Sequence, residues 1–113
     1  MSYKIIATDY FSKQLKRLAK KYPSLTTEFN ELIAEIEQDP QSGTPLGNNC
    51  YKIRLSIASK GKGKSGGARV ITYLITKQKL VYLLSVYDKS EMENLDKSKI
   101  LELIKGLPNS GIK

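Results

Sequence analysis

Residues 51–87 read YKIRLSIASKGKGKSGGARVITYLITKQKLVYLLSVY, and the fold follows from how that stretch divides. Tyr51-Lys52-Ile53-Arg54-Leu55-Ser56-Ile57 alternates strictly between apolar and polar residues, a period of two that belongs to an extended strand. Tyr51, Ile53, Leu55 and Ile57 therefore face a core, while Lys52, Arg54 and Ser56 share the other face. Arg69 to Ile75 and Leu80 to Tyr87 are β-branched and aromatic runs joined by the polar turn Thr76 to Lys79. Connections this short require antiparallel pairing, because a parallel crossover needs a dozen or more residues.

On the N-terminal side, Tyr3 to Ala7 is a short strand, and Thr8 is placed to cap a helix. In that helix Phe11, Leu15, Leu18, Ala19 and Tyr22 form one face, with Lys13, Lys16, Arg17 and Lys20 toward water, and Pro23 stops it. A second helix carries the stripe Phe29, Leu32, Ile33 and Ile36 beside Glu28, Glu31 and Glu35, and Asp39-Pro40 ends it. Gln41 to Asn49 is rich in turn formers and reads as a loop. Beyond the last strand, Ser90 and Glu93 have capping-box spacing. Ile100, Leu103, Ile104 and Leu107 mark a final helix, closed by Gly106-Leu107-Pro108. The expected order is β-α-α-β-β-β-α. It describes an α+β domain over residues 1–113, with a small, mostly antiparallel sheet and helices packed on one face. Lys52 and Arg54 then lie on the open face.

Charge is distributed unevenly along this frame. The chain carries a net charge of +8, and residues 51–80 alone hold Lys52, Arg54, Lys60, Lys62, Lys64, Arg69, Lys77 and Lys79 without one acid. A patch of this kind suits a polyanion, since Lys and Arg displace counterions from phosphates and steer the encounter. No acid occurs from Pro40 through Tyr87, histidine is absent, and Cys50 is the one cysteine. An ordinary zinc site, a disulfide within the chain and a carboxylate cage for Mg²⁺ beside the basic window are therefore not expected. Any chemistry on nucleic acid is expected to run without metal or other cofactor. The N-terminus MSYKIIATDY has no signal-peptide pattern, and no apolar run approaches a membrane span, so a cytoplasmic protein with no membrane partner is expected.

Gly61-x-Gly63-x-x-Gly66 matches the dinucleotide fingerprint only in form. That motif opens a helix whose N-terminus holds the pyrophosphate, and here a strand follows. What remains is a glycine-rich connection presenting Lys60, Lys62 and Lys64 at alternate positions. It is either a solvated hairpin tip or a loop that grips RNA phosphates, and the concentration of charge around it favours the second.

Three segments together resemble a known family. They are Cys50-Tyr51-Lys52-Ile53-Arg54-Leu55, Ala58 to Ile71 (ASKGKGKSGGARVI), and Tyr82-Leu83-Leu84-Ser85-Val86-Tyr87-Asp88-Lys89. The chain looks like a RelE/HigB-type toxin of a bacterial type II toxin–antitoxin module, within the RelE/ParE superfamily and similar to its HigB branch. The resemblance implies a RelE-like fold and an endoribonuclease that cleaves mRNA in the ribosomal A site. It also implies a cognate antitoxin as inhibitor, and the free toxin is expected to be a monomer. The family's catalytic pattern maps onto Lys52, Arg54, Arg69 and Lys89. A tyrosine that some members carry on the C-terminal side falls on Leu95, which cannot replace it, and Tyr87 stands nearby as a polar aromatic alternative.

Cleavage of RNA without metal uses the ribose 2′-OH as nucleophile. The site must align it, deprotonate it, neutralise the phosphorane and protonate the leaving oxygen. Arg54 and Arg69 suit the charge, because guanidinium stays protonated and binds phosphate bidentately. Lys52 is the better base, since a lysine crowded by cations gives up its proton more readily. Lys89 or Tyr87 serves as the acid. Tyr51, Tyr73 and Tyr82 read as packing residues, and Cys50 as inert. Two other functions fit the same charge pattern: a basic RNA- or DNA-binding module without chemistry, and a ParE-type toxin that poisons gyrase.

Overall fold

The computed structural model describes residues 3–58, 67–92 and 94–107. Lys60, Lys62 and Lys64 lie outside the described residues. The elements are β1 (Lys4–Ala7), α1 (Asp9–Lys21), α2 (Leu25–Gln38), β2 (Thr44–Gly47), β3 (Cys50–Leu55), β4 (Ala68–Ile75), β5 (Leu80–Asp88) and α3 (Lys97–Lys105). Among the described residues they build one five-stranded sheet in the order β1-β5-β4-β3-β2. β1 runs parallel to β5, and the other neighbours pair antiparallel.

The α+β class stands, and Thr8 caps α1 as its position predicts, accepting the Phe11 amide at 3.1 Å. The loop expected over Gln41 to Asn49 contains β2 instead. Asn48 and Asn49 both take positive φ, 54° and 62°, which makes the tight turn that pairs β2 with β3. Asparagine tolerates that backbone better than most residues, so the pair closes a hairpin.

Helix placement also departs from the expectation. α1 and α2 cover one face, where Phe11, Leu18, Leu32 and Ile36 pack with Ile53, Leu55, Val70, Val81 and Leu83. α3 crosses the opposite face and buries Ile100 and Ile104 with Cys50, Ile71, Tyr73, Tyr82, Leu84 and Tyr87. The reason is the near-continuous apolar character of β4 and β5, which needs cover on both sides. α3 covers one end of that face, and the end carrying Lys52 and Arg54 stays open.

A bulge decides which side chains reach that open end. Ile71 pairs with Ser85, but Thr72 pairs with Leu83, so Leu84 is an extra residue in β5. Unbroken alternation from Val81 and Leu83 would turn Tyr87 toward α1. With the bulge, Val86 joins Val81 and Leu83 in the α1 core, and Tyr87 joins Tyr82 and Leu84 on the α3 face. Gln14 of α1 supports the irregularity. Its Oε1 accepts the Val86 amide at 3.1 Å and the Ser85 hydroxyl at 3.0 Å.

Candidate nucleic-acid cleavage site

The register of β3, β4 and β5 sets Arg54 opposite Arg69, and Arg69 opposite Tyr87. Lys52 stands two residues before Arg54 on the same face, opposite Thr44 of β2. Lys89 follows the end of β5, where its amide donates to the Gly67 carbonyl at 3.1 Å. Gly67 has no room for a Cβ, which would collide with the Leu55 carbonyl, so β3 and β4 approach closely where the basic loop rejoins the sheet. At the loop's other end, the Ala58 amide donates to the Glu28 carboxylate on α2.

These constraints bring four cations into one place. Lys52, Arg54, Arg69 and Lys89, with Thr44 and Asn94, line a cleft of about 260 Å³ on the open end of the sheet. Among the described residues that lining contains no acid. A larger cavity, about 590 Å³, lies between β1, the start of α1 and α3, but its lining is mainly apolar and carries only one base, Lys99. The smaller cleft is the one that gathers the basic groups.

The four cations are held differently. Arg69 is 3% exposed, and its Nη1 donates to the Ala68 carbonyl at 3.1 Å, so its guanidinium is fixed within the sheet end. Arg54 is exposed and Lys89 half-buried. Lys52 Nζ donates to Asn94 Oδ1 at 3.1 Å, which ties β3 to the segment before α3.

Tyr87 is buried, and its hydroxyl has no aligned hydrogen-bond partner among the described residues. Burial pushes its phenol upward, with the Leu95 backbone and the Arg69 charge acting the other way. A phenol so placed keeps its proton at neutral pH, which suits a donor and not a base. Tyr73 and Tyr82 pack in the α3 core, and Tyr51 packs against the α1–α2 core. Burial raises the Cys50 thiol to about 11, so it is a packing group at neutral pH.

Sequence reasoning missed Thr44 and Asn94. Thr44 reaches the cleft because β2 exists, and Asn94 because α3 begins only at Lys97; Glu93 of the expected capping box lies outside the described residues. Ser90 instead turns back to Asp88, donating its amide at 3.0 Å and its hydroxyl at 2.9 Å to Oδ1. α3 starts later, with Asp96 at its N-cap.

Residues 5–107 match the family model of the RelE toxin of RelE/RelB toxin–antitoxin systems. The chain belongs to the RelE toxin family. Solved structures of RelE toxins share its fold. The isolated E. coli RelE toxin is 18% identical, with a TM-score of 0.60 over 93% of this chain and 99% of that one. The E. coli RelBE toxin–antitoxin complex gives 20% identity and a TM-score of 0.59 over 76% of this chain and 95% of that one. The RelBE2 toxin–antitoxin complex of Mycobacterium tuberculosis gives 17% and 0.56 over 78% and 92%. Membership accords with the resemblance carried by the basic strand and the YDK segment. No helix among the described residues of this RelE-family chain is long and apolar enough to cross a membrane.

Proposed function

We propose that this chain is an endoribonuclease toxin that cleaves mRNA in the ribosomal A site through the 2′-OH and is silenced by a cognate antitoxin. The observation that carries the reading is the cleft in which Lys52, Arg54, Arg69 and Lys89 converge, with no acid among the described residues of its lining. Ammonium and guanidinium groups, with the Thr44 hydroxyl and the Asn94 amide beside them, suit a phosphodiester, and the described lining offers a divalent cation no carboxylate. Arg69, fixed by burial, and Arg54, directly opposite, neutralise the phosphorane. Lys52, oriented by Asn94, takes the 2′-OH proton, and Lys89 supplies one to the leaving 5′-oxygen. Tyr87 lies next to Arg69 in register as a protonated reserve donor. The lysines at 60, 62 and 64 hold the RNA or ribosome. The E. coli and M. tuberculosis relatives are solved with antitoxins, which supports an antitoxin partner for this chain, in whose absence it is a single-domain monomer in the cytoplasm.

The test is a ribosome-bound mRNA whose A-site codon carries 2′-O-methyl groups, assayed beside an unmodified one. The unmodified codon is expected to be cut, leaving a 2′,3′-cyclic phosphate and a free 5′-hydroxyl, and the methylated codon to survive. A chelator treatment mild enough to spare the ribosome should change nothing. Cleavage of the methylated codon would overturn the mechanism. Growth arrest with DNA damage and intact mRNA would establish the gyrase reading instead, and neither cuts nor arrest a binding module.

A further inference from the structure

Asp88 is fully buried at the end of β5, yet it takes no part in the proposed cleavage. The bulge at Leu84 turns it away from Tyr87 toward the α1 side of the sheet, where the Tyr22 hydroxyl, at the C-terminal cap of α1, donates to its Oδ2 at 2.8 Å. Its Oδ1 accepts from the Ser90 amide and hydroxyl, and its carbonyl accepts the Glu91 and Met92 amides at 3.0 and 3.1 Å. The turn that carries Lys89 is thus wrapped around one carboxylate, and that carboxylate is anchored to a helix on the far side of the sheet. A carboxylate receiving several donors holds a tight geometry, because both oxygens accept and neither must rotate away.

We infer that Asp88, braced by Tyr22, is a positioning residue that fixes the turn after β5 and so holds the Lys89 ammonium at the cleft. The inference rests on the RNA-cleavage reading for its consequence, and on the hydrogen bonds alone for the brace. Lys89 is half-buried and sits on a turn, so its aim depends on the backbone beneath it. A displacement of about 1 Å in a catalytic group can lower a rate about 100-fold.

The experiment has two arms. The first needs no activity: amide hydrogen exchange at Lys89 to Met92 in the full chain, comparing wild type with Asp88→Ala and Tyr22→Phe. Both variants are expected to lose protection there, Asp88→Ala by at least about ten-fold, with protection in β4 retained. Unchanged exchange at these amides in both variants would overturn the brace. Tyr22→Phe keeps the ring and its packing, so it reports even if Asp88→Ala fails to fold.

The second arm measures single-turnover cleavage of A-site mRNA at saturating toxin. If the wild type does not cleave, the cleavage reading fails, and with it the positioning role, while the exchange result still stands for the brace. If it does, Asp88→Ala is expected to lower the rate about ten- to a hundred-fold with the half-saturating toxin concentration little changed. In a Lys89→Ala background the same substitution should then add almost nothing, because its effect runs through Lys89. Additive losses, or an undiminished rate in Asp88→Ala, would overturn the positioning role.

Discussion

Replacing Gln14 with Ala tests whether the β5 bulge is held by one side chain. The substitution removes the acceptor of the Val86 amide and of the Ser85 hydroxyl, while Ser85 and Val86 are both completely buried. Each donor left without a partner in the interior costs about 1–3 kcal/mol, and the two share one acceptor, so a combined loss of about 2–4 kcal/mol is expected. Unfolding entropy of about 2 cal/mol/K per residue, over 113 residues, converts this to a fall in Tm of about 9–18 °C. Thermal unfolding followed by circular dichroism measures it. Two companions sharpen the assignment: Gln14→Glu keeps an acceptor and should lose much less, and Ser85→Ala removes one donor and should cost about 1 kcal/mol. The bulge also sets which face Tyr87 and Asp88 occupy, so Gln14→Ala should disturb NMR signals at Tyr87 and Lys89. A Gln14→Ala protein within about 2 °C of wild type, roughly half a kcal/mol on the same scale, with those signals unmoved, would refute the reasoning.

Three further outcomes follow from the same geometry. Cys50 has its pKa raised from 9.0 to about 11 in the fold, so its burial stabilises the neutral form. That contribution is complete below about pH 9 and declines as pH rises toward 11, by roughly 2–3 kcal/mol at most. Urea titrations from pH 8 to 11 should therefore show a steeper loss for wild type than for Cys50→Ala. Arg54→Gln relieves a like-charge pair set directly across β3 and β4, so it should raise stability by roughly 0.2–1 kcal/mol while cleavage falls about 10²–10³-fold; loss of both properties together would mean that Arg54 is a structural residue. Replacing Lys60, Lys62 and Lys64 with Ser should flatten the salt dependence of RNA or ribosome binding by up to about one log–log unit for each phosphate no longer held, and an unchanged slope would make the loop a solubilising connection.

The basic cleft was legible because it depends on strand parity over a short distance. Lys52 and Arg54 alternate with Ile53 and Leu55, and no irregularity intervenes between them. Arg69 is the second residue of its strand, and pairing at the Leu55–Ala68 end brings it opposite Arg54. The helix pair was legible from its stripes and from Thr8 and Asp39-Pro40. What escaped depends on contacts remote in sequence. The bulge falls within Leu83-Leu84, two apolar residues with no glycine to mark it, and its support comes from Gln14, 71 residues away from Ser85. β2 is made by pairing: Thr44-Pro45-Leu46-Gly47 has little strand propensity, and its hairpin signal was the Asn48-Asn49 turn. Ser90, read as a helix cap, instead donates to the Asp88 carboxylate, a contact with a strand end that its own neighbours do not announce. These three misses lie in β5, in the turn after it or in the strand beside Lys52, so the residues that frame the cleft were harder to read than those that charge it.

That division has a physical cause. Arg54 opposite Arg69 is a pairing that sheet energetics disfavour, and the described lining of the cleft contains no carboxylate. A fold can keep such a cluster only if its surroundings are firm enough to resist the repulsion. Here the firmness comes from behind and beside the cleft. Gln14 pins β5, Tyr22 and Asp88 brace the turn bearing Lys89, the Gly67 carbonyl holds that turn's first amide, and the Arg17–Glu91 pair at 3.1 Å adds a weaker, solvent-exposed tie from α1. The like-charge cluster breaks a local rule that its braced surroundings allow, a pattern that fits a ligand bringing its own negative charge. On the proposed reading, an RNA phosphate in the cleft should therefore stabilise the fold as well as react in it. Removing the cations one at a time should relax the site before it weakens the core.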